Sequence, residues 1–121
     1  MLSPRFDQVI HERTRLRLSG LLAAVVEAEF RDLRDSLSIT DSALSKHLKV
    51  LEGAGYVTMR RLREGSRTFT LVAITGPGAH AFWGHVAAIQ RLAGVAAMRR
   101  TPAVSRVPRA AITMTGRPAN V

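Results

Sequence analysis

Between residues 12 and 54 the apolar positions recur with the period of an α-helix, interrupted by two short stretches. Residues 12–26 place Leu18, Leu21, Leu22 and Val25 on one stripe and leave Arg13, Arg15 and Arg17 outside it. Glu27-Ala28-Glu29-Phe30 is too short for a helix and reads as a small strand. Leu33 and Leu37, four residues apart, predict a two-turn helix over residues 31–37. Ser38-Ile39-Thr40 is a tight link. Thr40 is placed to cap the next helix through its hydroxyl, and Asp41 adds a favourable charge to its first turn.

The helix predicted from Thr40 to about Ala54 has two unlike sides. With Leu44 at zero and about 100° per residue, Leu48 and Leu51 fall within about 40° of it. Ser42, Ser45, Lys46 and Lys49 lie on the far side. The leucines demand burial against other helices. The short polar and cationic side chains can approach phosphates and base edges. A helix held by its back with such a front has the character of the recognition element of a helix-turn-helix.

Gly55 ends this helix, and Tyr56-Val57-Thr58-Met59-Arg60-Arg61 then alternates as a strand. Leu62-Arg63-Glu64-Gly65-Ser66 reads as a hairpin loop, and Arg67 to Val72 as the returning strand, with Phe69 and Leu71 on one face. Thr75-Gly76-Pro77-Gly78 is a helix-entry turn. A last helix over residues 79–92 carries the stripe Ala79, Phe82, Val86, Ile89 and Ala93, widened by Trp83. Ahead of all this, residues 5–11 predict a short first helix, with Ser3-Pro4 as cap and first-turn proline. The expected class is mainly α with a small β-sheet, in the order α-α-β-α-α-β-β-α.

Charge sharpens the picture. The chain of 121 residues has a formal net charge of +9, unevenly spread. Residues 1–39 balance six arginines against six acids, whereas residues 40–67 hold six cations against three acids. The excess therefore sits on the capped helix, the hairpin behind it and a basic tail. That distribution favours a polyanionic partner, most simply nucleic acid. Domain organisation is expected to be one domain over residues 1–94 and a basic tail over residues 95–121, in which Ala110-Ala111-Ile112-Thr113-Met114 could pair or dock.

Other chemistry finds little support. With no cysteine, disulfides, thiolate metal sites and cysteine nucleophiles are excluded. No run of 18 or more apolar residues offers a membrane span, so a cytoplasmic protein without a membrane partner is expected. His80 and His85 are five apart, about 140° around a helix, a poor metal pair. His47, at the rim of the leucine face, reads as a hydrogen-bonded packing residue. No serine shares a helix face with a histidine at the spacing a nucleophile and base need. Neither an enzyme nor a bound cofactor is expected.

Four segments in this order carry a resemblance. They are Arg13-Thr14-Arg15-Leu16-Arg17-Leu18, Glu29-Phe30-Arg31-Asp32-Leu33, the helix Ser42 to Glu52 with Gly55-Tyr56-Val57 behind it, and Thr70-Leu71 followed by Thr75-Gly76-Pro77-Gly78. Residues 5–92 resemble the small winged-helix (MarR/ArsR-like) transcriptional regulators of bacteria and archaea. The resemblance implies a homodimer, expected to be a repressor, bound to a two-fold operator in double-stranded DNA. It places Thr40, Ser42, Ser45, Lys46 and Lys49 in the major groove and Arg60, Arg61, Arg63 and Arg67 on the wing. It also implies helix-mediated dimerisation through Phe6, Val9, Ile10, Phe82, Trp83, Val86 and Ile89, and a cleft for a small-molecule effector near Phe82 and Trp83. Two departures stand out: Glu12 where the family often has proline, and Arg31 where many members have a Ser or Thr cap. The alternative function is a winged-helix protein-interaction module without DNA readout.

Overall fold

Eight elements follow one another in the computed structural model, which describes residues 3–99. They are α1 (Gln8–His11), α2 (Arg13–Ala23), β1 (Ala28–Glu29), α3 (Phe30–Leu37), α4 (Asp41–Gly53), β2 (Val57–Glu64), β3 (Arg67–Ile74) and α5 (Gly76–Met98). The type and order of every element agree with the sequence pattern. Met1–Gln90 forms one unit, and the description below concerns it. Arg91–Val121 is a second unit, of which residues 91–98 continue α5. The segment Ala110 to Met114 lies outside the described residues.

The sheet is antiparallel, in the order β1-β3-β2. Its long hairpin turns on Gly65 and Ser66, with Glu64 opposite Arg67. A positive φ of 63° at Gly65 is the conformation that a two-residue turn needs at its first central position. Leu62, Arg63 and Glu64 therefore belong to β2, not to the loop that the sequence suggested, because cross-strand pairing extends as far as a tight turn permits.

The core gathers Ile10, Leu18, Leu22, Leu33, Leu37, Leu44, Leu48, Leu51, Val57, Val72 and Phe82. Every helix of the unit contributes, and so do both long strands. Leu21 on α2 and Val25 just beyond its end remain exposed, however, although they continue the predicted stripe.

Three of the helix starts are set by side chains that the pattern did not single out as caps. Asp7, not Ser3, caps α1, accepting from the Ile10 N–H at 3.0 Å. Residues 3–6 stay outside the helix, and the Arg5 N–H donates to the Gly84 carbonyl of α5 at 2.9 Å. Glu12 caps α2 by accepting from the Arg15 N–H at 2.8 Å, which explains how the chain manages without proline there. The Thr75 hydroxyl accepts from the Gly78 N–H at 3.0 Å and donates to the Gly55 carbonyl at 2.7 Å. It thus opens α5 three residues earlier than the apolar stripe implied. Gly78 is required here: a Cβ would stand 2.1 Å from the Tyr56 carbonyl oxygen.

Candidate nucleic-acid interface

The site is built on α4. Leu44, Leu48 and Leu51 are buried, and burying a leucine contributes about 2 kcal/mol. That anchorage fixes the rotation of the helix, so its other side must face water. Ser42, Ser45, Lys46 and Lys49 are all exposed, on the side opposite the leucines. The start of α4 is equally fixed. Ser38 adopts a left-handed φ of 54°, reversing the chain after α3. The Thr40 hydroxyl accepts from the Ala43 N–H at 3.1 Å, leaving its own proton free to donate. Arg34 of α3 donates to Asp41 at 3.0 Å and to Asp35 at 3.0 Å, and these bonds raise the guanidinium's already high pKa further.

Behind the front, His47 is half-buried. Its Nδ1 lies 3.2 Å from an Arg15 guanidinium nitrogen and 3.7 Å from the Glu12 carboxylate. Arg15 also donates from Nε to the Val9 carbonyl at 2.6 Å. Arg15 is therefore no freely solvated arginine; it knits α1 and α2 to α4.

The hairpin meets α4 beside a hollow of about 280 Å³. Ser45, Leu48 and Lys49 line it from the helix, Met59, Arg60, Arg61 and Thr70 from the hairpin, and Phe30 from α3. The two predicted groups of site residues thus come together at Ser45, Lys49, Arg60 and Arg61. Arg63 lies further out and donates weakly to the Gly65 carbonyl at 3.4 Å.

Arg60 and Arg67 behave differently. Arg60 makes a two-pronged contact with Glu27 at 2.8 and 3.1 Å. Hydrogen bonding to Arg60 holds the Glu27 carboxyl below its ordinary range. Arg67 pairs with Glu29, and its guanidinium lies 4.5 Å from the centre of the Phe69 ring. The Glu29 carboxylate is thereby engaged, and Glu29, the residue before α3, makes no capping bond to it.

Two features escaped the pattern. Arg31, in the first turn of α3, is exposed and lines a hollow of about 210 Å³ with Arg34, Thr68 and Thr70. A cation opposing the helix dipole at that position was the available signal. The second is the pairing of Glu27, just before β1, and Glu29, in it, with hairpin arginines, which spans more than thirty residues of sequence. Among the residues assigned to dimerisation, Ile10 and Phe82 belong to the unit's own core, which corrects their placement on an outer surface. Val9 and Val86 are half-buried, while Phe6, Trp83 and Ile89 are exposed. Among the described residues no three side chains of metal-ligand type converge, and no helix is long and apolar enough to cross a membrane.

A family model described as a winged helix DNA-binding domain matches residues 14–93. The chain belongs to this winged-helix family. In winged-helix terms α3 and α4 form the helix-turn-helix, and β2 and β3 the wing. An uncharacterised protein of Methanocaldococcus jannaschii is 31% identical over 85 residues, covering 70% of this chain and 92% of that one. An uncharacterised HTH-type transcriptional regulator, YdgJ of Bacillus subtilis, is 39% identical over 66 residues. That match covers 54% of this chain and 40% of YdgJ. A transcriptional regulator homologue from Pyrococcus horikoshii superposes with a TM-score of 0.69 at 23% identity, covering 73% of this chain and 87% of its own. The Staphylococcus aureus protein MepR, solved as a DNA complex, superposes with a TM-score of 0.59 at 17% identity, covering 76% and 75%. At these identities the two structures attest the fold.

Proposed function

We propose that this protein is a sequence-specific regulator of transcription, a repressor, that binds a two-fold operator in double-stranded DNA as a homodimer in the cytoplasm. The observation that carries the reading is the exposed front of α4: Lys46 and Lys49 project outward with Ser42 and Ser45, from a helix anchored by three buried leucines. The serines are short enough to let the backbone approach the major groove. The lysines can neutralise phosphates or reach guanine acceptors. Thr40 offers a hydroxyl proton at the helix start. Arg61 and Arg63 extend the cationic surface along the wing.

Dimerisation is supported by apolar surface that the unit leaves uncovered. Trp83 is 47% exposed and Phe6 51%. Ile89, Val86 and Val9 complete the proposed contact surface. A small-molecule effector belongs to the same reading, supported by the relative NadR, solved in complex with 4-hydroxyphenylacetate, at 22% identity. Phe82 is buried in the core, so the place to seek one is not beside it and Trp83 but in a hollow of about 560 Å³ between the N-terminal segment and α5, lined by Arg5, Asp7, Tyr56 and His80. The domain boundary is proposed near residue 94, with a basic tail after it.

Selection of bound duplexes from a random pool tests the reading. The expected outcome is a two-fold motif with half-sites about one helical turn apart. On that motif, wild-type affinity should fall steeply with added salt, and the Lys46→Ala/Lys49→Ala protein should bind at least tenfold more weakly. Equal binding by the two proteins would remove α4 from the interface. Failure to enrich any duplex would favour the protein-interaction module instead.

A further inference from the structure

The four wing arginines are equivalent in sequence but not in the sheet. Side chains alternate between the faces of a strand, and residues paired across strands share a face. Val57, Met59, Arg61 and Arg63 of β2 therefore lie on one face, opposite Ile74, Val72, Thr70 and Thr68 of β3. That is the face whose Val57 and Val72 enter the core and whose Met59, Arg61 and Thr70 line the hollow beside α4, which Arg60 also borders. Arg60, Leu62 and Glu64 lie on the other face, opposite Leu71, Phe69 and Arg67. Glu29 joins this second face through its pairing with Leu71.

The charges divide accordingly. On the first face Arg61 and Arg63 stand beside Thr68 and Thr70 with no carboxylate on the strands there. On the second, Arg60 and Arg67 share their side of the wing with Glu29, Glu64 and, through its bond to Arg60, Glu27: two cations against three carboxylates. Arg60 sits across β3 from Glu29's strand and reaches Glu27 with two donors. Arg67 runs along β3 over the Phe69 ring to Glu29. A surface with more acids than bases does not attract a polyanion.

We propose that only the first pair, Arg61 and Arg63, contacts DNA phosphate, and that Arg60 and Arg67 are positioning residues, clasped by Glu27 and Glu29 to tie β1 across the wing and fix its angle to α4. This rests on the DNA-binding reading above. It predicts that the wing presents Arg61 and Arg63 to the duplex, continuous with Lys49 and Ser45, while Arg60, although it borders the same hollow, stays neutralised by Glu27.

The salt dependence of binding to a mixed-sequence duplex separates the two roles, because the slope of log affinity against log salt counts neutralised phosphates at about 0.9 each. Arg61→Gln and Arg63→Gln should each flatten the slope by about 0.9 per bound protomer. Arg60→Gln and Arg67→Gln should leave it unchanged. The charge swap Arg60→Glu/Glu27→Arg preserves the clasp and should keep affinity within about threefold of wild type, whereas Arg61→Glu, which sets an anion against phosphate, should lose more than about tenfold. Thermal melting identifies any variant that does not fold, and the swap serves where Arg60→Gln fails. If Arg60→Gln flattens the slope as far as Arg61→Gln, or the folded swap loses affinity as Arg61→Glu does, the division is overturned while the DNA-binding reading stands. If the wild-type protein shows no salt-dependent duplex binding, both fall.

Discussion

His85 is fully buried and yet fully engaged. The Asp7 N–H donates to its Nδ1 at 3.0 Å, so the ring proton resides on Nε2, which faces His11 Nδ1 at 3.2 Å. The Phe6 ring stands edge-on to both imidazoles. Burial, reinforced by repulsion from His11 and only partly offset by Asp7, pushes the His85 pKa below its ordinary 6.5. Burial also pushes the Asp7 carboxyl up, but hydrogen bonds from Tyr56, at 2.5 Å, and from the Ile10 and Val9 N–H groups outweigh it and bring the carboxyl below 3.8. For His85 the unfolded chain binds the proton more readily than the fold does. Its contribution to stability is therefore complete above pH 6.5 and is lost as pH falls through the depressed folded value. Asp7 follows the same sign: its contribution is present above 3.8 and lost as pH falls through its lower folded value. Between pH 6.5 and the alkaline range in which Tyr56 ionises the melting temperature should be flat; it should decline below pH 6.5 and again under pH 3.8. His85→Gln should erase the first decline and keep the second; an unchanged first decline would assign it to another group. None of this was legible in the sequence, where His85 figured only as a poor metal partner of His80, because a hydrogen bond across 78 residues leaves no local pattern.

At the scale of elements, the helices were legible where one side chain type repeats on one side. The leucines of α4 fix its existence, extent and rotation, and Thr40 its first residue. Thr40→Ala should lower stability by about 1 kcal/mol, seen as a lower urea midpoint with an unchanged slope. A change of less than a few tenths would mean that the hydroxyl is not what satisfies the Ala43 N–H. The ends of β2 and α5 differ from the local pattern for one reason. Arg63 and Glu64 look like loop residues, and Gly76-Pro77-Gly78 looks like a turn. Their conformation comes from pairing with β3 and from Thr75 bonding to Gly55, twenty residues away. The candidate site divided in the same way: the exposure of Lys46 and Lys49 opposite the leucines follows from helical rotation alone, whereas the pairing of Arg60 and Arg67 depends on two distant glutamates.

For the whole molecule, the uncovered apolar side chains decide the next question. Trp83 packs edge-on against the buried Phe82 at 4.9 Å between ring centres, and nearly half of it faces outward. Trp83→Lys leaves Phe82 in the core and places a charge on the outer face. Sedimentation should give twice the chain mass for the wild-type protein and the chain mass for this variant, with helix content retained. A wild-type protein that stays monomeric at all concentrations would remove the homodimer from the proposal. The amino-acid sequence by itself determined the class of fold, the order of its elements and the cationic front of α4, because helix and strand periodicity, capping and glycine conformation act between near neighbours. Only the tertiary structure decided which arginines are clasped and which are free, which apolar residues close the core and which stay outside, and why one histidine is kept uncharged. Those outcomes depend on desolvation and on partners brought together from far along the chain, and the fold alone supplies both.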